Sequence, residues 1–415
     1  MNTTKILSEI NNDFSKLSKL SKSQLLQMCG DLGISKCSSK TKSELIELIK
    51  LKNNTENILT NNTENILINN TENILTNRTE NILTNRTENN KYTFIEVCAG
   101  GGGLSSGLMK AGFIPLLLND NNKDCCETLK KNHINTNVVC CSMEKIDLTP
   151  YINNVDLLTG GIPCQSYSQS GLRKGLEDPR GQLIHTFIKM IGTVKPKIFM
   201  IENVKGLLTH NNGNTIVEII NLLDKDKLYD IKYELLNSVD YSVPQKRERV
   251  FIIGMLKSKN LKFTFPNKND KVIVMKDVLR NVPVSNGEKY SEEKKKLFKL
   301  IPQGGCWVNL PEDKQKSYLG NSYFSGGGKR GILYRLSMDK PSLTLLCTPS
   351  QKQTERCHPI DERPLTIREY ARVQTFPDDY VFSGSMASQY KQIGNAVPVE
   401  LARQIGISLI DTLKN

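Results

Sequence analysis

From Tyr92 onward the chain alternates short apolar runs with longer amphipathic stretches. The runs Thr93–Cys98, Ile114–Leu118, Val138–Cys140, Asp156–Thr159, Lys197–Glu202, Ile231–Leu236 and Arg249–Met255 read as strands. Between them, stretches such as Gly181–Thr193 and Thr215–Leu223 repeat apolar residues every three or four positions and predict helices. Strands alternating with helices predict an α/β fold with a mostly parallel sheet wrapped by helices. A last helix over Val399–Leu413 is expected to pack back on that sheet. The alternation breaks from Leu256 to about Glu355, a stretch holding Gly304-Gly305, Gly326–Gly328 and the single tryptophan, Trp307. That region is expected to form a smaller module inserted in the larger one.

The first ninety residues follow other patterns. Leu17–Leu51 carries two short amphipathic helices, Ser21–Cys29 and Thr41–Ile49, parted by Gly30, Gly33 and a polar loop. Their spacing and leucine pattern resemble a SAP-type helix–loop–helix, a nucleic-acid-binding module; a simple helical hairpin is the other reading. Residues 53–91 repeat Asn-Asn/Arg-Thr-Glu-Asn-Ile-Leu-Thr with a period of eight. Eight residues turn a helix by about 800°, so the Ile-Leu pairs drift round the surface instead of forming one face. Asn and Thr are also poor helix formers, and the segment reads as a flexible linker, or alternatively a self-associating spacer.

Composition narrows the partners. The net charge is +13 over 415 residues, which favours a polyanion. The excess is concentrated: Met255–Lys340 holds eighteen Lys/Arg against eight Asp/Glu. A basic stretch inside the fold, away from a tail, fits a nucleic-acid-facing surface. Eleven cysteines without a paired framework, and the absence of a signal peptide or membrane-length apolar run, point to a reducing intracellular compartment. Cys125-Cys126 and Cys140-Cys141 lack zinc-site spacing, and with four histidines no metal is expected.

Candidate chemistry falls at strand ends. Pro163-Cys164-Gln165 follows the run Asp156–Thr159, and Glu202-Asn203-Val204 ends the run begun at Lys197. A thiol and a carboxylate so placed suit covalent catalysis on an electron-poor ring. Cys98-Ala-Gly-Gly-Gly-Gly-Leu104 joins the first strand to a helix, a turn that lets a cofactor approach backbone closely. Asn119-Asp120 follows the second strand, where an acid can hold ribose hydroxyls.

In this order the segments closely resemble the DNA (cytosine-5-)-methyltransferase family, from Tyr92 to the C-terminus. The resemblance implies a Rossmann-like, S-adenosylmethionine-dependent methyltransferase domain over 92–255 and 356–415, with target recognition in 256–355. It implies S-adenosyl-L-methionine as cofactor and double-stranded DNA as substrate. Cys164 matches the family's nucleophile, flanked by Pro163 and Gln165. Glu202 matches the acid that binds ring nitrogen 3, followed by Asn203. The Gln-x-Arg-x-Arg motif falls on Gln245, Arg247 and Arg249: Arg249 is expected at the cytosine oxygen, Arg247 near phosphate or the catalytic loop, and Gln245 at DNA. The loop Ser166–Arg180 matches the closing loop, with Ser170 filling the space of the flipped base and Arg180 on DNA. Cofactor contacts are expected from Cys98, Ala99, Gly100, Gly102, Gly103 and Leu104. Further ones fall on Asp120, Asn121, Ser142, Met143, Pro163 and Leu183, and in the last motif on Asn395 and Val397.

Three positions depart from the family pattern. Cys98 stands where an aromatic often packs on adenine, Ser142 where an acid meets the adenine amine, and Ile162 where a second proline precedes the nucleophile. The resemblance also implies base flipping, a possible partnership with a restriction endonuclease, and a monomer at work on DNA inside the cell. A tRNA cytosine methyltransferase and an inactive DNA-binding regulator are the alternative readings.

Overall fold

The computed structural model describes residues 14–32, 34, 37–50, 92–162, 182–324, 331–353 and 355–414. The repeat segment and the expected closing loop, with Pro163, Cys164, Gln165, Ser170 and Arg180, lie outside these residues. The chain divides between residues 86 and 87 into two compact units.

In the N-terminal unit, a 3₁₀ turn at Phe14–Lys19 precedes α1 (Lys22–Asp31) and α2 (residues 42–50). Both helices start with reciprocal caps. The Gln24 amide donates to Ser21 Oγ and the Ser21 amide to Gln24 Oε1, at 3.3 and 2.8 Å. Thr41 and Glu44 repeat this, with the Thr41 amide 2.7 Å from Glu44 Oε2. Leu17, Leu25, Met28, Leu45 and Ile49 form a small core of their own.

The larger unit is built on a seven-stranded sheet in the order β3-β2-β1-β4-β5-β8-β6. Its strands are β1 (Thr93–Val97), β2 (Ile114–Asp120), β3 (Asn137–Cys140), β4 (Leu157–Gly160), β5 (Ile198–Val204), β6 (Tyr229–Asn237) and β8 (Glu248–Leu256). Each lies within two residues of its expected bounds. Helices α3 (Gly103–Ala111), α4 (Lys123–Asn132), α5 (Gln182–Val194) and α6 (Asn214–Leu223) connect them. β1 through β5 pair in parallel, and β8 runs antiparallel to both β5 and β6. Only a 3₁₀ turn and the two-residue β7 (Gln245–Lys246) separate β6 from β8. That is too short for a crossover helix, so β8 can only return as a hairpin partner. The order reverses between β1 and β4, which opens the crevice where doubly wound sheets hold ligands.

The last helix, α11 (Val399–Lys414), lies against α3. A Cβ on Gly107 would stand 2.3 Å from Ala402 Cβ, and one on Gly406 2.7 Å from Ala111 Cβ, so glycine permits this approach. Leu401, Ile405 and Leu409 thereby join Phe94, Leu157 and Met200 in the sheet's main core.

From residue 257 to 353 the chain carries helices α7 (Glu292–Lys299) and α8 (Glu312–Leu319) and strand β9 (Ser342–Leu343), which pairs with β7. Phe263 still packs in the sheet core, whereas Tyr290, Phe298, Leu310, Leu319 and Leu333 form a separate cluster. α9 (Ile367–Val373) and α10 (Met386–Asn395) belong to a third cluster with Leu345 and Leu365.

Candidate active site

A cavity of about 1080 Å³ opens at the carboxyl ends of β1, β2, β4 and β5. Its wall includes Cys98, Ala99, Gly100, Gly103 and Leu104 after β1, and Asp120 and Asn121 after β2. Ser142, Met143, Leu183, Asn395 and Val397 complete the described part of the expected cofactor set. Gly102 lies behind the wall as the N-cap of α3, at φ +81°, a left-handed conformation that favours glycine.

The Asp120 carboxylate is fixed by two backbone amides, those of Gly100 and Asn122, each at 2.8 Å. Its remaining lone pairs are available to hydroxyls. Cys98 has φ +53°, and its sulfur lies 3.8 Å from Met143 Sδ. Burial, aided by the charge of Asp120, pushes its thiol up to about 12, so it stays protonated. Beside Ser142 a carboxylate is present after all: the Ser142 hydroxyl donates to Glu144, two residues on.

At the other end of the cavity, Glu202 Oε1 and Arg249 Nε meet at 2.9 Å, both nearly buried. The β5–β8 register sets Val204 opposite Arg249, which brings the two side chains to one strand end. Burial raises the Glu202 carboxyl above its ordinary range, against the pull of Arg249 and Arg247. Burial likewise lowers the Arg249 guanidinium, against the opposing charge of Glu202. Asn203 donates from Nδ2 to the Ile162 carbonyl at 3.0 Å, gripping the segment that leads into Pro163-Cys164.

Gln245, expected at DNA, and Arg247, expected near phosphate or the catalytic loop, are both internal. Arg247 is 1% exposed, and its guanidinium donates to the carbonyls of Leu345, Gly394 and Asn395 at 3.1, 2.8 and 3.2 Å. It braces the last motif and has no access to a phosphate. Gln245, fully buried, accepts from the Leu345 amide at 2.9 Å and donates to Gln374 Oε1 at 3.0 Å. Gln374 passes the link on to the Ile393 carbonyl at 2.7 Å. Burial turns both side chains to the interior, where their partners are backbone carbonyls, a backbone amide and Gln374.

Sequence reasoning missed several wall residues. Glu96, on β1, is 1% exposed, and its Oε2 lacks a hydrogen-bond partner. Burial raises its carboxyl to about 8, with Asp120 and Glu202 adding and Ser105 opposing. Its signal was an acid inside an otherwise apolar strand. Leu346, Cys347 and Lys391 also line the cavity, and Cys347 donates to Asn395 Oδ1 at 2.9 Å. Nothing in their local sequence marked them.

The cavity suits a nucleoside-bearing methyl donor: a glycine turn that lets a ligand approach backbone closely, and Asp120, an acid at the end of the second strand with lone pairs free for ribose hydroxyls. Fold and site together define an S-adenosylmethionine-dependent methyltransferase. Residues 92–411 match the C-5 cytosine-specific DNA methylase family, and the chain belongs to it. It is a DNA (cytosine-5-)-methyltransferase, which transfers a methyl group from S-adenosylmethionine to carbon 5 of cytosine in DNA.

Among relatives, it is 45% identical to the type II methyltransferase M.Eco47II of Escherichia coli, over 78% of this chain and 80% of that protein. It is 46% identical to M.PspPI of Psychrobacter, with the same coverage, and 45% identical to M.Sau96I of Staphylococcus aureus, over 78% and 76%. In fold it resembles Entamoeba histolytica methyltransferase EhMeth, with a TM-score of 0.58 and 20% identity over 78% of this chain and 99% of the other. S. pombe Dnmt2 aligns with a TM-score of 0.52 and 17% identity over 78% and 100%. No helix among the described residues is long and apolar enough to cross a membrane.

Proposed function

We propose that this chain methylates one short sequence in double-stranded DNA through a covalent adduct on Cys164. The observation that carries this is the Glu202–Arg249 pair in the cavity wall, beside the Gly161-Ile162 segment that leads to the thiol. Cytosine carbon 5 is a weak nucleophile. The Cys164 thiolate adds to carbon 6, and Glu202, its carboxyl raised above the ordinary range by burial, delivers a proton to ring nitrogen 3. Electron density then reaches carbon 5, which takes the methyl group. S-adenosylmethionine supplies that group as an electrophile. A solvent base takes the carbon 5 proton, the nitrogen 3 proton returns to Glu202, and the restored ring double bond expels the thiolate. Arg249 holds the Glu202 carboxyl in place and faces the ring oxygen. Asn203 positions the nucleophile's approach through Ile162. Carbon 5 is unreachable inside a stacked duplex, so the base must be flipped out, with Ser170 and Arg180 on the DNA side.

On the same reading, Cys98, Ala99, Gly100, Gly103 and Leu104 cradle the cofactor and Asp120 takes its ribose. Ser142, Met143, Pro163, Leu183, Asn395 and Val397 close round it, and residues 256–355 read the DNA sequence. The helix–loop–helix of residues 17–51 is SAP-like and adds a DNA contact. The enzyme works inside the cell as a monomer, protecting sites from a cognate restriction endonuclease.

The test is bisulfite sequencing of plasmid from a host free of cytosine methylation, expressing wild type or Cys164→Ser. Protected cytosines in one short context, lost in the soluble variant, are expected. Protection by the variant would overturn the covalent route. An unprotected plasmid with methylated tRNA would overturn the DNA reading.

A further inference from the structure

We propose that Tyr380, far from the cavity in sequence and absent from its wall, is a positioning residue that sets the glycine turn for the cofactor. This inference rests on the reading of that turn as the cofactor's cradle. Tyr380 is 5% exposed and donates its hydroxyl to the Gly101 carbonyl at 2.8 Å, across 279 residues of chain. The amide on the other side of that peptide, Gly102 N–H, donates to the Ala99 carbonyl at 3.0 Å. The Gly101–Gly102 peptide plane is therefore held at both ends. Four glycines in a row have no side chains to fix their own dihedral angles, so such a turn must be fixed from outside.

The tyrosine is itself held rigidly. Its ring packs on Phe376 and Phe382, with centroids 4.8 and 5.2 Å away. Arg368 donates to its carbonyl at 2.8 Å. His133 stands edge-on to the ring, and burial lowers that imidazole to about 4, which keeps it neutral beside the hydroxyl. Burial also raises the Tyr380 phenol, so it remains a donor across the working pH range. The hydroxyl further reports why residue 102 is glycine: a Cβ there would stand 2.2 Å from Tyr380 Oη.

Removing the hydroxyl leaves the Gly101 carbonyl buried and unpaired, and the turn regains freedom that cofactor binding must remove again. For Tyr380→Phe the expected result is a cofactor Kd and KM raised about 3- to 10-fold, with kcat changed less than twofold. Calorimetric titration with S-adenosylhomocysteine reads the affinity without turnover. Gly102→Ala is expected to weaken binding strongly, and Tyr380→Phe in that background to restore part of it, since the nearest clash is gone. An unchanged Kd in Tyr380→Phe with a lowered melting temperature would reduce Tyr380 to a purely structural part and overturn the inference. Strictly additive effects of the two substitutions would do the same. Asp120→Ala separates the two readings. If it too leaves affinity unchanged, the cradle itself is misplaced. If it weakens binding while Tyr380→Phe does not, only the role of Tyr380 fails.

Discussion

Arg247 offers a sharp test of which arginine faces substrate. Arg247→Met keeps most of the stem volume and deletes the guanidinium. Three carbonyls, on Leu345, Gly394 and Asn395, then lose a charged donor within a fully buried site. Charge-assisted hydrogen bonds contribute about 1.5–3 kcal/mol each. Against this, removing a buried charge relieves its desolvation cost. The net expectation is a loss of about 3–5 kcal/mol, because the orphaned carbonyls cannot all reach water. For a domain of this size that lowers Tm by roughly 5–10 °C. Thermal unfolding followed by circular dichroism reads the loss. The companion assay is DNA affinity as a function of salt. A phosphate-contacting arginine contributes about 0.9 to the slope of log K against log salt. Arg247→Met is expected to leave that slope unchanged in the folded protein. An unaltered Tm together with a slope smaller by about one would refute the buried-brace account.

Three further outcomes are expected. Glu202→Gln should lower kcat by about 10²–10⁴-fold while the S-adenosylhomocysteine Kd stays within twofold, since the amide cannot deliver the proton; a large loss of cofactor affinity would remove Glu202 from its role at the base. In Glu96 the folded-state carboxyl titrates at about 8, above its unfolded value near 4.3. The folded protein therefore holds a proton that the unfolded chain has released, and wild-type stability should fall by up to roughly 1.4 kcal/mol per pH unit between about pH 5 and 8 on this account. Glu96→Gln should flatten that slope in denaturant titrations at several pH values, and parallel profiles would contradict it. Gly107→Val places a branched side chain where Ala402 Cβ would lie 2.3 Å from the new Cβ. Loss of cooperative unfolding or a fall of several kcal/mol is expected, and a wild-type melting curve would show that the two helices can part.

Much of the fold was legible because buried strands leave compact apolar runs, and all seven in the sheet emerged within two residues of their expected bounds. Strand direction was not legible in those runs. The reversal of β8 follows from the short link behind Asn237, a property of connection length and not of composition. In the site, residues on strand ends and the glycine turn were readable because their chemistry is unusual in those places. Gln245 and Arg247 were assigned through the motif they share with Arg249, and a motif match carries no information on burial. Yet Gln245, Arg247 and Arg249 alternate along one extended stretch, and side chains two apart share a face. Arg249 at the cavity implied that its partners face inward as well. Cys347 and Lys391 arrive from distant chain segments, and only tertiary folding could assemble them.

The packing of α11 on α3 carries a consequence for biosynthesis. The helix that opens at the glycine turn rests on one that is translated much later, with nearly three hundred residues made in between. A nascent chain can pair its early strands, but the turn's helix lacks its backing until residue 399 and beyond leave the ribosome. A chain released after Pro398 is expected to expose Leu104, Leu108 and Phe113, to be cut by protease there, and to take up no cofactor. Competence to methylate would thus switch on only once α11 has emerged, so a chain still short of it would not occupy DNA sites that it could not modify.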